Sequence, residues 1–216
     1  GQENSNDRFL FSMVKSLAVL FTDDEQVISE AAEILVDLYR GEKESIVPGL
    51  LLGHARVKTG EGEAAKQYFE SVLEKADGCY TAQLELAKLH YQSGKNEKAV
   101  SIVDGLLERF SGREELLILS AKTHYALGEL DTALKRTNEL LVKTQKQEVL
   151  ILRLKIFMRK GDVEGATKIL KILDRMEITS EELLLLKAEL LYRTGEIEGA
   201  LSAIEALPDE IGRAHV

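Results

Sequence analysis

Four histidines and a single cysteine are the residues of this 216-residue chain best suited to metal or nucleophilic chemistry, and their placing argues against both. His90 and His124 lie one 34-residue interval apart, each directly before a tyrosine. A metal site needs three or four converging ligands. Two histidines a full interval apart, at positions where a helix interior is expected, fit core packing better. Cys79 stands beside Tyr80 with no histidine near it in sequence, and a nucleophilic thiol needs a base and an orienting group. A lone cysteine also forms no internal disulfide. No His-Glu-x-x-His motif and no glycine-rich phosphate loop occurs. The chain is read as a non-enzyme with no catalytic residue, no metal and no cofactor.

Recognition chemistry is better represented. It emerges on counting back from five glycines, Gly60, Gly94, Gly128, Gly161 and Gly195, which follow one another at 34, 34, 33 and 34 residues. Ten before each glycine stand Leu50, Leu84, Ile118, Ile151 and Leu185; six before, His54, Lys88, Lys122, Lys155 and Glu189; three before, Val57, Tyr91, Tyr125, Met158 and Tyr192. Steps of four and three residues keep these positions on one face of a helix. An aliphatic row, a lysine row and a tyrosine-rich row therefore run side by side. Apolar area leaving water supplies affinity, tyrosine gives amphipathic contact, and lysines select acidic groups. The same rows have a plainer reading: the aliphatic residues as core between units, the tyrosines packed on neighbouring helices, and Lys88 paired with Glu85 one turn earlier.

The elements that must carry these rows follow from the period. Each glycine suits the end of a helix, and five residues after each comes an alanine: Ala65, Ala99, Ala133, Ala166 and Ala200. Each unit thus reads as helix, short turn, helix, with the alanine allowing close approach of the pair. Leucine, alanine, glutamate and lysine dominate, and alternating β-branched runs are missing, so almost no strand is expected. The phase extends upstream to Ala31, where Gln26 replaces the glycine. Thr22-Asp23-Asp24-Glu25 resembles a capping box with Thr22 as the cap, and Gly41 ends that helix. The expected fold is all-α, a right-handed superhelical solenoid of antiparallel helix pairs, five clear units and one degenerate N-terminal unit. The expected layout is a disordered tail over 1–8, the degenerate pair over 9–45, five units over 46–212 and a tail over 213–216.

Leu52-Gly53 with Ala65-x-x-x-Phe69, then Leu86-Ala87 with Ala99 and Val103, then Ala121 with Ala133 and Ala188 with Ala200, resemble the tetratricopeptide repeat. The resemblance covers about residues 46–212, and 9–45 more weakly. The usual leucine is replaced by Ser120, Arg153 and Lys187, the small residue by Leu154, and no proline separates the units. The resemblance implies that first helices line a concave groove, and that the chain is a scaffold holding a peptide or helix of a partner protein there. On that reading the groove residues are Leu84, Lys88, Tyr91, Ile118, Lys122, Tyr125, Ile151, Lys155, Met158 and Tyr192, and the partner is amphipathic with acidic residues. The family's clamp for chaperone tails does not fit, because Leu50 and His54 occupy the first clamp pair and the rows contain no asparagine.

A formal charge of −9 disfavours nucleic acid or an anionic membrane as partner. The apolar stretch from Phe9 to Phe21 is too short for a bilayer, which needs about 20 residues. The lone thiol suits a cytoplasmic location. Beginning at Gly1, the chain is expected to be a piece of a longer or processed protein. A rival expectation is an assembly subunit. The last helix, with Leu201, Ile204 and Leu207, has no polar helix after it. That end would be covered by residues beyond the chain, by a second copy, or by Ile211 and Val216 folding back.

Overall fold

The computed structural model describes residues 12, 14, 16–41, 45–144, 146–177 and 180–208, and every regular element among them is helical. The chain divides into two compact units, Gly1–Arg109 and Phe110–Val216. In a repeat stack each pair touches only its neighbours, so a division between pairs is physically natural. The first unit holds a 3-10 turn, Ala18–Leu20, then α1 (Glu25–Gly41), α2 (Val47–Lys58), α3 (Gly62–Lys75), α4 (Tyr80–Gln92) and α5 (Asn96–Arg109). The second holds α6 (Glu114–Leu127), α7 (Leu130–Leu141), α8 (Gln147–Lys160), α9 (Val163–Arg175), α10 (Glu181–Thr194) and α11 (Ile197–Glu205). Helices α2 to α11 form five antiparallel pairs, each member packed on the other.

The turn inside every pair is the same, and glycine is the reason. Gly60, Gly94, Gly128, Gly161 and Gly195 have φ between 73° and 83°, a left-handed conformation that a Cβ penalises. At Gly128 the glycine N–H donates to the Tyr125 carbonyl, and the Glu129 N–H reaches back to the His124 carbonyl at 2.9 Å. The other four turns repeat this double closure, which satisfies carbonyls left over at the helix end.

Between the helices of each pair, the five alanines are buried, four of them completely. Across from them Ala87 and Ala121 are fully buried too, and Gly53 faces the ring of Phe69. The positions that depart from the family pattern are satisfied locally. Arg136 Nε donates to Ser120 Oγ at 3.2 Å, Arg153 donates to Thr137 Oγ1 at 3.3 Å, and Lys187 pairs with Asp174 at 2.7 Å. Leu154 is fully buried, in a cluster with Met158, Ala166, Leu170 and Leu183.

The N-terminal cap differs from expectation. α1 begins at Glu25, and the Asp24 carboxylate accepts from the N–H groups of Gln26 and Val27, while Thr22 Oγ1 accepts from Asp24. Asp24 caps because it is the residue immediately outside the first turn; Thr22 lies too far upstream to reach those amides. Val19 is fully buried against Ile28, Leu35 and Leu52, whereas Val14 and Phe21 are exposed. The expected tails over 1–8 and 213–216, and the fold-back of Ile211 and Val216, lie outside the described residues.

Candidate functional site

The face formed by the first helix of each pair is set by the i, i+4, i+7 spacing of the three rows. In the second unit, Ile118, Lys122 and Tyr125 follow one another along α6, all half-buried. Lys122 forms an ion pair with Glu148 on α8, and Lys155 on α8 forms the same pair with Glu182 on α10. Each lysine therefore meets an acid at the start of the next first helix. Half-exposed pairs of this kind contribute at most about 1 kcal/mol each to stability. Their larger effect is electrostatic, because each glutamate offsets the field of its lysine. In the first unit Lys88 pairs with Glu85 at 2.8 Å, along its own helix.

Not every residue of the three rows is available to a ligand. Leu84, Ile151 and Met158 are buried, so they serve as core between neighbouring helices. Tyr91 and Tyr125 are half-buried, and the guanidinium of Arg159 lies 5.3 Å from the Tyr125 ring centroid. Tyr192 is exposed, but it stands apart from the lysine row, beside Leu201 and Ile204. The residues of the three rows that stay half-buried on α6 and α8 are Ile118, Lys122, Tyr125 and Lys155.

Three partners of these residues, and a fourth contact of the same kind beside them, are not evident along any single helix of the sequence. Glu148 and Glu182 lie 26 and 27 residues after their lysines, a spacing that stands out only when one repeat is compared with the next. Arg159 and Arg193 both precede a glycine by two residues, and each reaches back one repeat. Arg159 donates to the Tyr125 carbonyl at 2.6 Å and Arg193 to the Met158 carbonyl at 3.1 Å. A cation at a helix C-terminus is favoured by the helix dipole. These arginines therefore tie successive repeats together.

The three histidines among the described residues pack against their own repeats. His90 and His124 are buried, and His124 Nδ1 lies 2.6 Å from Glu129 Oε2. His54 sits edge-on to Phe69, ring centroids 5.6 Å apart. Burial pushes His90 below the ordinary imidazole value of 6.5, and Lys66, Lys98 and Lys95 push the same way against Glu70. Burial lowers His54 too, with Glu85 opposing and Lys88 and Lys58 assisting. A lowered folded value means that the unfolded chain binds more protons as pH falls. Stability from both rings is therefore complete above about pH 6.5 and is lost as pH drops through the lowered values. Urea midpoints measured at about pH 7.5 and 5.5 are expected to fall with acidification. The fall is expected to be smaller in His54→Gln/His90→Gln; an equal fall in that variant would assign the effect to other groups.

Residues 56–113 match the tetratricopeptide repeat family profile. Among solved structures, a tetratricopeptide repeat protein from Parabacteroides merdae superposes with a TM-score of 0.77 at 19% identity, over 90% of this chain and 78% of that one. This is a tetratricopeptide-repeat fold. PilW, a type IV pilus biogenesis factor, shares the repeat architecture at a TM-score of 0.77 and 14% identity, covering 90% of this chain and 91% of its own. The pilF protein of Pseudomonas aeruginosa does so at 0.75 and 11%, covering 97% and 94%. No curated protein matches the chain. A tetratricopeptide-like fold implies a protein–protein interaction scaffold. Among the described residues no helix is long and apolar enough to cross a membrane.

Proposed function

We propose that the chain holds a peptide or helical segment of a partner protein on the face of its first helices, with Ile118, Lys122, Tyr125 and Lys155 as the contact strip. The carrying observation is the pair of lysine–glutamate bridges from one first helix to the next, Lys122 to Glu148 and Lys155 to Glu182. They set two ammonium groups in register along a half-buried row. An ammonium has three donors, and each bridge uses one. A ligand carboxylate can share the same lysine while the ligand's apolar side rests on Ile118 and Tyr125. Because Glu148 and Glu182 offset the lysine charge, acidic groups contribute register more than bulk attraction. The favoured ligand is amphipathic, with spaced single acids rather than an acidic run.

The test is selection from a random peptide library against the intact chain, followed by titration of enriched peptides. Removing Lys122, Tyr125 and Lys155 together (Lys122→Gln, Tyr125→Ala, Lys155→Gln) is expected to weaken binding at least about tenfold, on the scale of hot-spot residues. Unfolding curves are expected to show the variant still folded. Undiminished affinity in a folded variant would remove this face from consideration.

A further inference from the structure

The last helix pair exposes an apolar face whose counterpart one repeat earlier is covered, and the covering element shows what fits. Leu185, Tyr192 and Ile204 are 42%, 69% and 37% exposed, and Leu201 is 54% exposed. The equivalents of the first three one repeat earlier, Ile151, Met158 and Leu170, are only 7%, 6% and 5% exposed, while that of Leu201 is the half-buried Thr167. Ile151, Met158 and Leu170 share a cluster with Leu183 and Leu190 of α10, and Leu186 packs against it. A leucine stripe at spacing i, i+3, i+7 on one helix therefore closes this kind of face. Tyr192, Ile197, Leu201 and Ile204, with Ala188, Ala200 and Glu189, line an open hollow of about 350 Å³. Of these, Ile197 has an equivalent in the preceding repeat, Val163, that is exposed as well, so the loss of cover is read from Tyr192, Leu201 and Ile204.

The charge pattern reverses at this end. On α8 the position facing the next helix is Lys155, and it meets Glu182, the residue just before Leu183. On α10 the same position is Glu189, held by Arg193 at 2.5 Å. A helix seated on α10 and α11 thus meets an acid where α10 itself met a lysine. A cation just before its first leucine would share that acid with Arg193. The carbonyl contact that Arg193 makes with Met158 also has a counterpart, since an arginine ten residues after the first leucine would reach the carbonyl of Tyr192.

We propose that this face receives a basic amphipathic helix of a partner protein, with lysine or arginine followed by the stripe Leu-x-x-Leu-x-x-x-Leu. This goes beyond the first-helix strip and uses other residues. Within residues 1–216 the two stretches with that leucine spacing begin at Leu183 and Leu127 and follow Glu182 and Ala126, so neither carries the cation.

The experiment uses two fluorescent peptides of residues 181–194, capped at both ends, one with the natural sequence and one with Glu182→Lys. Binding to the intact chain is followed by anisotropy. The Glu182→Lys peptide is expected to bind at least about tenfold more tightly than the natural one. Glu189→Gln in the chain is expected to erase most of that difference, and Leu201→Glu/Ile204→Glu to abolish binding by both peptides. Both substituted side chains are exposed, and a melting curve verifies that the variant folds. Lys122→Gln/Tyr125→Ala/Lys155→Gln is expected to leave the peptide affinity unchanged, which separates this site from the strip. Equal affinity of the two peptides, or no binding by either, overturns the proposal. So does a concentration-dependent dimer that Leu201→Glu/Ile204→Glu dissolves, because a second copy would then be the occupant.

Discussion

Ala133→Glu is expected to remove most of the stability of the second unit. Ala133 has no exposed surface and lies in a cluster with Ala121 of α6 and Leu152 and Ile156 of α8, with Tyr125, Leu130 and Leu134 packed around it. Two costs add. The glutamate side chain does not fit where two helices approach over alanines, and overpacking of that sort costs about 1–3 kcal/mol. The carboxylate also loses water without a cation in that cluster to receive it, and it must either stay charged at high cost or take up a proton. A total above about 4 kcal/mol is the expectation, in the range that single substitutions reach only by such mechanisms. Urea unfolding followed by circular dichroism measures it. Glu129→Gln, four residues earlier, is the contrast. Its amide oxygen can still accept from His124, and the backbone bond from residue 129 to the His124 carbonyl is untouched. That variant is expected to stay within about 0.5 kcal/mol of the parent chain. The reverse ranking would show that the repeat register is misassigned.

The register itself was readable from the sequence because two residue types carry it without ambiguity. A positive φ at each helix end selects glycine, and a close helix contact selects alanine, so both recur at the interval of the repeat. The burial of His90 and His124 followed from the same counting. The contact strip was only half legible. Counting along one helix finds Lys122 and Lys155, but their glutamates lie on the following repeat, where a single-helix reading does not look. The aliphatic row was ambiguous for a physical reason: the same leucine or isoleucine serves a groove or a core, and only the neighbouring helix decides. At Ile151 and Met158 that neighbour is α10, and at Leu185 and Tyr192 no described helix follows. Identical positions in the pattern thus acquire opposite roles from their place in the stack.

Gly53→Ala sets two physical effects against each other, and its sign decides which one the fold obeys. Gly53 lies inside α2, where alanine is the better helix former by about 1 kcal/mol, so propensity alone predicts a gain. Packing predicts a loss. A Cβ at this position would come within 2.4 Å of the Phe69 ring and within 3.0 Å of three of its carbons. Phe69 has no exposed surface, and His54 stands edge-on against it, so the ring has little room to move aside. The substitution is expected to destabilise the first unit by about 1–3 kcal/mol despite the propensity gain. Gly105→Ala is the matched control. It lies inside α5 with no heavy atom within 4 Å of the added Cβ, and there the gain of up to about 1 kcal/mol is expected to appear. A second substitution, Phe69→Leu, vacates the edge of the ring that the new methyl strikes. In the Gly53→Ala background it is expected to cost less than in the parent chain, and that difference in a double-mutant cycle measures the clash directly. Were Gly53→Ala to raise the urea midpoint as Gly105→Ala does, the close approach of α2 to Phe69 would not be what holds this pair together.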